Sequence, residues 1–249
     1  MKVLQLQSTH IIPTLKYVLK CQLSQTFFPI RNNLLFLHTN GFMKYLLAIA
    51  CFIICIHTNA QKDLLTTDTT LVMPTLNFNA DSELVIRASP TSSQNDFDFL
   101  QGKWKMHHRR LNKRLENCKD WTEFDSFDEN HKILMGIGDI DTYTTTELPE
   151  LEGKPFEGFT LRLFNPQTKL WSLYWVPSTT GILDKPVVGS FENNVGHFFA
   201  KDTYNGKPII MVFRWDARNK NKPVWSQAFS ADNGKTWEWN WYNISEYVK

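Results

Sequence analysis

Residues 197–215 read HFFAKDTYNGKPIIMVFRW. Two β-rich runs, His197 to Asp202 and Pro208 to Trp215, flank Asn205-Gly206, the dipeptide that best supplies the two positive-φ residues of a tight hairpin turn. The same grammar continues in both directions. Val187 to Glu192 precedes the turn Asn193-Asn194-Val195-Gly196, and Phe159 to Phe164 is joined to Lys169 to Val176 by Asn165-Pro166-Gln167-Thr168. Val224 to Ser230 and Thr236 to Ile244 follow downstream, while Lys103 to Leu111 and Lys132 to Ile140 lie upstream, the latter containing GIGDID. About nine short strands with tight connections and no crossover helices predict an all-β antiparallel sheet that either closes on itself, as a barrel of about eight to ten strands, or folds into a sandwich.

All nine tryptophans lie between Trp104 and Trp241, so the aromatic core belongs to the C-terminal part of the 249 residues. Residues 1–60 carry five basic and no acidic residues, whereas residues 97–249 carry 20 of each sign. The excess of basic charge is thus a property of the leader. The rest lacks the surplus of Lys and Arg that phosphate neutralisation demands, which excludes a nucleic-acid partner. Met43-Lys44, the apolar run Tyr45 to Ile56, and His57-Thr58-Asn59-Ala60 have the three-part pattern of a cleavable signal peptide ending before Gln61. Twelve apolar residues are too few to span a bilayer, which takes about 20, so no stable membrane insertion is expected after cleavage. Cleavage is favoured over a lipid anchor at Cys51, since apolar residues continue past that cysteine.

These readings divide the chain into a surplus leader from a start placed too early (1–42), a signal peptide (43–60), a linker or N-terminal arm (61–96), and the barrel domain (97–249). The expected location is periplasmic or extracellular. Of Cys21, Cys51, Cys55 and Cys118, only the last survives cleavage, so no intramolecular disulfide is expected and stability must come from the core.

Two motifs carry a resemblance. In FDFLQGKW (97–104), Gly102-Lys103-Trp104 is similar to the opening of lipocalin-like barrels, where the glycine admits the chain to the barrel floor and the indole plugs it. In SADNGKTW (230–237), the spacing S-x-D-x-G-x-T-W resembles the Asp box of sialidases and other secreted proteins. Ser230 and Asp232 can bond turn amides, Gly234 supplies a positive φ, and Trp237 packs beneath, which makes it a structural turn.

The runs HRRLNKRL, CKDWTEF, GIGDID, LRLFNP, LWSLYWV, VVGSFENNVGHFF and WSQAFSADNGKTWEWNW, in that order, extend the resemblance over nearly all of Phe97 to Tyr242. Together they resemble an uncharacterised bacterial family of calycin-like (lipocalin-like) barrels. The resemblance implies that fold and no established activity. Ser226 departs from it, standing where an acidic residue is expected.

Strand alternation selects candidate site residues. With Trp104 pointing inward, His108 and Arg110 follow it, and Arg110 then needs a carboxylate such as Glu238 or Glu192. Arg162, Tyr174, Gln227, Glu238 and Asn240 are the other polar groups set among aromatic rows. No metal is expected, because His107 and His108 are adjacent and point to opposite faces, and no H-x-H or C-x-x-C occurs. No cofactor is expected either, since Gly136-Ile137-Gly138 lacks the third glycine and the helix of a dinucleotide site. The leading expectation is an exported barrel that binds a small apolar or amphipathic molecule, anionic ones included. The alternatives are an isomerase or hydrolase using His108, Glu238 and Arg110, and a glycan-binding module using exposed indoles.

Overall fold

A computed structural model of the chain describes residues 72–249. The leader (1–42), the signal peptide (43–60) and the first part of the arm expected from the sequence lie outside the described residues. Two short strands come first, β1 (Asn77–Phe78) and β2 (Leu84–Val85), paired as a hairpin. Ten more follow: β3 (Gly102–Leu111), β4 (Trp121–Ile133), β5 (Gly138–Thr145), β6 (Phe156–Asn165), β7 (Leu170–Pro177), β8 (Val187–Glu192), β9 (Val195–Tyr204), β10 (Lys207–Asp216), β11 (Val224–Ser230) and β12 (Glu238–Tyr247). These form one closed antiparallel barrel in which each strand pairs with its neighbours in sequence. β12 meets β3 to close it, in register from Trp241↔Arg110 to Tyr247↔Trp104. The protein is all-β, an antiparallel barrel of ten strands, and closure leaves the barrel no unpaired edge.

Alternation sets the two faces. On β3 the side chains of Trp104, Met106 and His108 are buried, while Lys103 and Lys105 are exposed. The 3-10 turn Asp98–Leu100 crosses the lower end of the barrel. Phe97, 1% exposed, has its ring edge-on to Trp171 and Phe191 at 4.9 Å and stacked with Phe198 at 5.7 Å. The ring at the centre of the floor is therefore that of Phe97. Trp104 stands beside it and ties the turn down, its indole N–H donating to the Leu100 carbonyl at 2.7 Å. Gly102 has φ +102°, and a Cβ there would lie 2.8 Å from the Tyr247 ring, so the chain enters β3 by a path open only to glycine.

One expected strand is wrong. Lys132 to Ile140 is not continuous: β4 ends at Ile133, and the chain reverses through Leu134, Met135 and Gly136, all with positive φ. The misreading has a physical cause. The inward row of β4 is Phe124, Ser126, Asp128 and Asn130, three of them polar, so the hydrophobic alternation that marks a strand is missing.

The N-terminal segment packs on the outside of the barrel. Met73, Leu76, Leu84 and Ile86 cover Phe199, Ile210, Val212, Ala228, Trp237 and Trp239. The turn between β11 and β12 receives Leu76 against Gly234, and is held by Ser230 Oγ donating to Asp232 Oδ1 (2.7 Å) and by the Gly234 and Thr236 amides (2.7 and 2.9 Å). The β7–β8 ladder is the shortest in the barrel, running only from Trp171↔Gly189 to Leu173↔Val187. Above it the strands part, and the connection 178–186 carries the exposed side chains of Ile182 and Leu183.

Phe97 occupies the centre of the floor, and truncating it leaves a hole lined by rigid rings. Phe97→Ala is expected to cost about 3–5 kcal/mol. Urea unfolding checks this: an unchanged midpoint would mean that the floor does not depend on this ring.

Candidate functional site

Between the Phe97 floor and the upper loops lies a cavity of about 380 Å³. Its lining runs from Asp128, Asp141 and Arg162 near the floor, through an aromatic belt, to Glu150, Asp184 and Lys185 at the upper end.

The belt consists of Tyr143, Phe156 and Trp175 on one side and Phe213, Trp225 and Trp241 on the other. Trp175 stacks on Phe156 at 6.4 Å and stands edge-on to Tyr143 at 5.8 Å. Its indole lies directly over the backbone of Gly158, where a Cβ would fall 2.0 Å from the ring, so the glycine makes room for the wall. Burial pushes the Tyr143 hydroxyl up to about 12.

At the upper end, Arg110 donates two hydrogen bonds to the Glu150 carboxylate, at 2.9 and 2.5 Å. The pair holds Glu150 below its usual carboxylate range. The Arg110 guanidinium also lies 5.1 Å over Trp241. Arg114, in the β3–β4 loop, covers the same indole at 5.6 Å. Burial, with the neighbouring charge of Arg110, lowers the pKa of Arg114. The expected partners of Arg110 are thus replaced by Glu150. Glu238 instead accepts a hydrogen bond from the Leu115 amide at 2.7 Å and so braces the loop that carries Arg114, and Glu192 is exposed at the end of β8.

His108 is buried at 2% exposure, stacked on Phe124 at 4.7 Å. The Trp241 indole donates to His108 Nδ1 at 3.0 Å, which fixes the proton on Nε2, and Nε2–H donates to Ser126 Oγ at 2.7 Å. Both ring nitrogens are engaged, and burial lowers the pKa to about 3. His108 is a neutral part of the wall, and the set His108–Glu238–Arg110 does not converge.

At the floor, Arg162 is 4% exposed. Its Nη1 donates to Asp139 at 2.8 Å and its Nη2 to Asp141, with the guanidinium 5.2 Å over the Phe97 ring. Burial raises Asp139, and raises Asp128 well above the usual range with the Asp141 carboxylate adding to the shift.

Of the seven side chains singled out from the sequence, His108, Arg110, Arg162, Tyr174 and Gln227 border the cavity; Glu238 and Asn240 do not. Tyr174 borders it from the alternate row, opposite Leu161. Gln227 Nε2 donates to Asn240 Oδ1 at 2.8 Å, and Asn240 occupies the register shift between Gln227 and Ala228. Sequence reasoning missed Asp128, Asp141, Tyr143, Glu150 and Trp241. The first three lie in the inward rows of β4 and β5, where acids recurring at i, i+2 were the available signal.

Ser226 faces the outer side, where it accepts a hydrogen bond from Arg214 Nε at 3.2 Å under the Trp239 ring, so its departure from the family pattern does not touch the cavity. None of the nine tryptophans is fully exposed, and Trp175, Trp225 and Trp241 line the cavity.

No family model matches the chain, and no curated protein sequence matches it. Among solved structures it is similar to the S-type phycobiliprotein lyase CPES from Guillardia theta, with 10% identity and a TM-score of 0.46 over 64% of this chain and 94% of that one. A likeness of this size says nothing about a shared ligand or activity.

The opposed shifts of His108 and Asp128 predict a pH signature. A histidine whose folded pKa is depressed costs stability as pH falls from about 6.5, its unfolded value, toward about 3. An aspartic acid whose folded pKa is raised contributes stability below about 4 that is lost as pH rises through its folded value. Relative to the wild type, His108→Gln is expected to flatten the acid limb of the stability curve, and Asp128→Asn the limb above it. Urea titrations from acid to neutral pH check this, and parallel curves for all three proteins would refute the assignment.

Proposed function

We propose that this protein is an exported binding protein whose barrel encloses a small apolar or amphipathic molecule. The observation that carries this reading is the cavity of about 380 Å³, walled largely by aromatic side chains and with its charged groups toward its two ends. A space of this kind matches the apolar body of a small ligand, while a few polar groups set its orientation. At the upper end, Arg110 and Arg114 offer two guanidinium groups to an anionic end, and Glu150 competes for the first of them. The bacterial calycin-like family proposed from the ordered motifs is compatible with this reading, and the signal pattern at 43–60 supports export.

Filling the cavity tests the reading. Thr160 lies on its wall, and Thr160→Trp is expected to weaken binding of octanol or of an environment-sensitive apolar dye at least about tenfold while the fold is retained. Calorimetry and dye titration read the change. Unaltered binding in a folded variant would place the ligand elsewhere.

Arg110→Leu is expected to weaken octanoate binding more than octanol binding, with a smaller effect on the melting temperature. If both probes lose equally, the arginine has no part in recognising an anion.

Export has its own check. N-terminal sequencing of the protein recovered from outside the cytoplasm is expected to begin at Gln61, and recovery with the leader intact would refute that part of the proposal.

A further inference from the structure

The lower wall of the cavity holds polar atoms for which the fold supplies no partner. Asp128 is 7% exposed and lines the cavity, and its Oδ1 has no hydrogen bond. Its cross-strand neighbour Tyr143 lines the same space, and the hydroxyl, beside Ser126, makes no hydrogen bond of good geometry. Leaving such a buried group unpaired is costly, so two in register on one wall mark the place of a missing partner.

The surroundings fix the chemistry of that partner. Three carboxyl groups, Asp128, Asp139 and Asp141, face one guanidinium, Arg162. Arg162 spends one terminal nitrogen on Asp139 and the other on Asp141, and its plane lies against Phe97. An anion at the floor would meet an excess of carboxylate. A cation would meet two unpaired oxygens, both able to accept.

We propose that the cavity floor is a subsite for a basic nitrogen, an ammonium or similar N–H-rich cation, which donates hydrogen bonds to Asp128 Oδ1 and the Tyr143 hydroxyl. The inference rests on the cavity being the ligand site and adds what its deep end recognises. The ligand is then two-ended, with its nitrogen at the floor and any anionic group near Arg110.

Binding carries a proton balance. The ammonium enters already charged, and any proton that burial holds on Asp128 passes to the buffer as the ammonium–carboxylate pair forms. The titratable and charged groups facing Asp128 are Asp139, Asp141 and Tyr143 on β5 and Arg162 on β6, while its cross-strand neighbour on β3 is the uncharged Trp104.

The test compares octylamine with octanol by calorimetry at about pH 6, in two buffers of different ionisation enthalpy. Octylamine is expected to bind at least about tenfold more tightly, with release of up to about one proton. In Asp128→Asn, a neutral isostere that keeps the shape of the protonated acid, the advantage and the proton release are expected to vanish. The thermal melt of the variant reports a folded barrel. Tyr143→Phe is expected to lose part of the advantage and keep the proton release.

Equal binding of amine and alcohol by the wild type would overturn the proposal, leaving the floor to ordered water. An amine preference that survives in Asp128→Asn would overturn it too. Failure of both probes to bind the wild type would instead remove the cavity reading, and this inference with it.

Discussion

A guanidinium cannot sit inside an apolar barrel without carboxylates to hold it, and Arg162 is the point on which the lower half of this protein turns. Desolvating its charge is costed in several kcal/mol, and only the paired bonds to Asp139 and Asp141 offset it. That requirement places two acids at i, i+2 on β5, and Asp128 falls beside them on β4. The same guanidinium lies against Phe97, so the ion cluster and the aromatic floor brace one another. Replacing either carboxylate would leave one terminal nitrogen of a buried guanidinium without its hydrogen bond.

The two ends of the cavity handle charge in different ways. At the upper end Arg110 and Glu150 face each other near solvent, with side-chain exposures of 15% and 53%, so water screens the pair and either partner can turn to a ligand. At the floor nothing is screened. There burial pushes the Asp128 carboxyl well above the usual carboxylate range, while higher on the wall His108 is neutral between an indole donor and a serine acceptor. The middle of the cavity is mostly rings, with Gln227 set in register with Phe213 and Trp241.

Much of the barrel was legible in the sequence because its turns are written in Asn, Gly and Pro: Asn205-Gly206, Asn193-Asn194 and Asn165-Pro166 each sit between two strands. The site was legible only in part, for three physical reasons. β4 turns polar side chains inward, so the strand that supplies Asp128 lacked the pattern by which strands are found. Arg110 and Glu150 meet from 40 residues apart across a loop, a distance that no local pattern encodes. The register shift at Gln227/Ala228 changes the phase of β12, which sends Trp241 into the cavity while Trp239 packs under the N-terminal arm. Counting by twos through that shift makes Trp237, Trp239 and Trp241 one row, and the protein splits them between its two faces.

The short β7–β8 ladder gives the barrel a weak seam. Every other strand pair is held over a longer register, whereas this one has the fewest backbone bonds to break before a gap reaches the aromatic belt at Trp175. Local opening follows the least-bonded path, so this seam is where the wall would part at the least cost in backbone bonds. Ile182 and Leu183 stand exposed in the connection beside that seam. The chamber thus joins an aromatic floor to one wall held by few backbone hydrogen bonds.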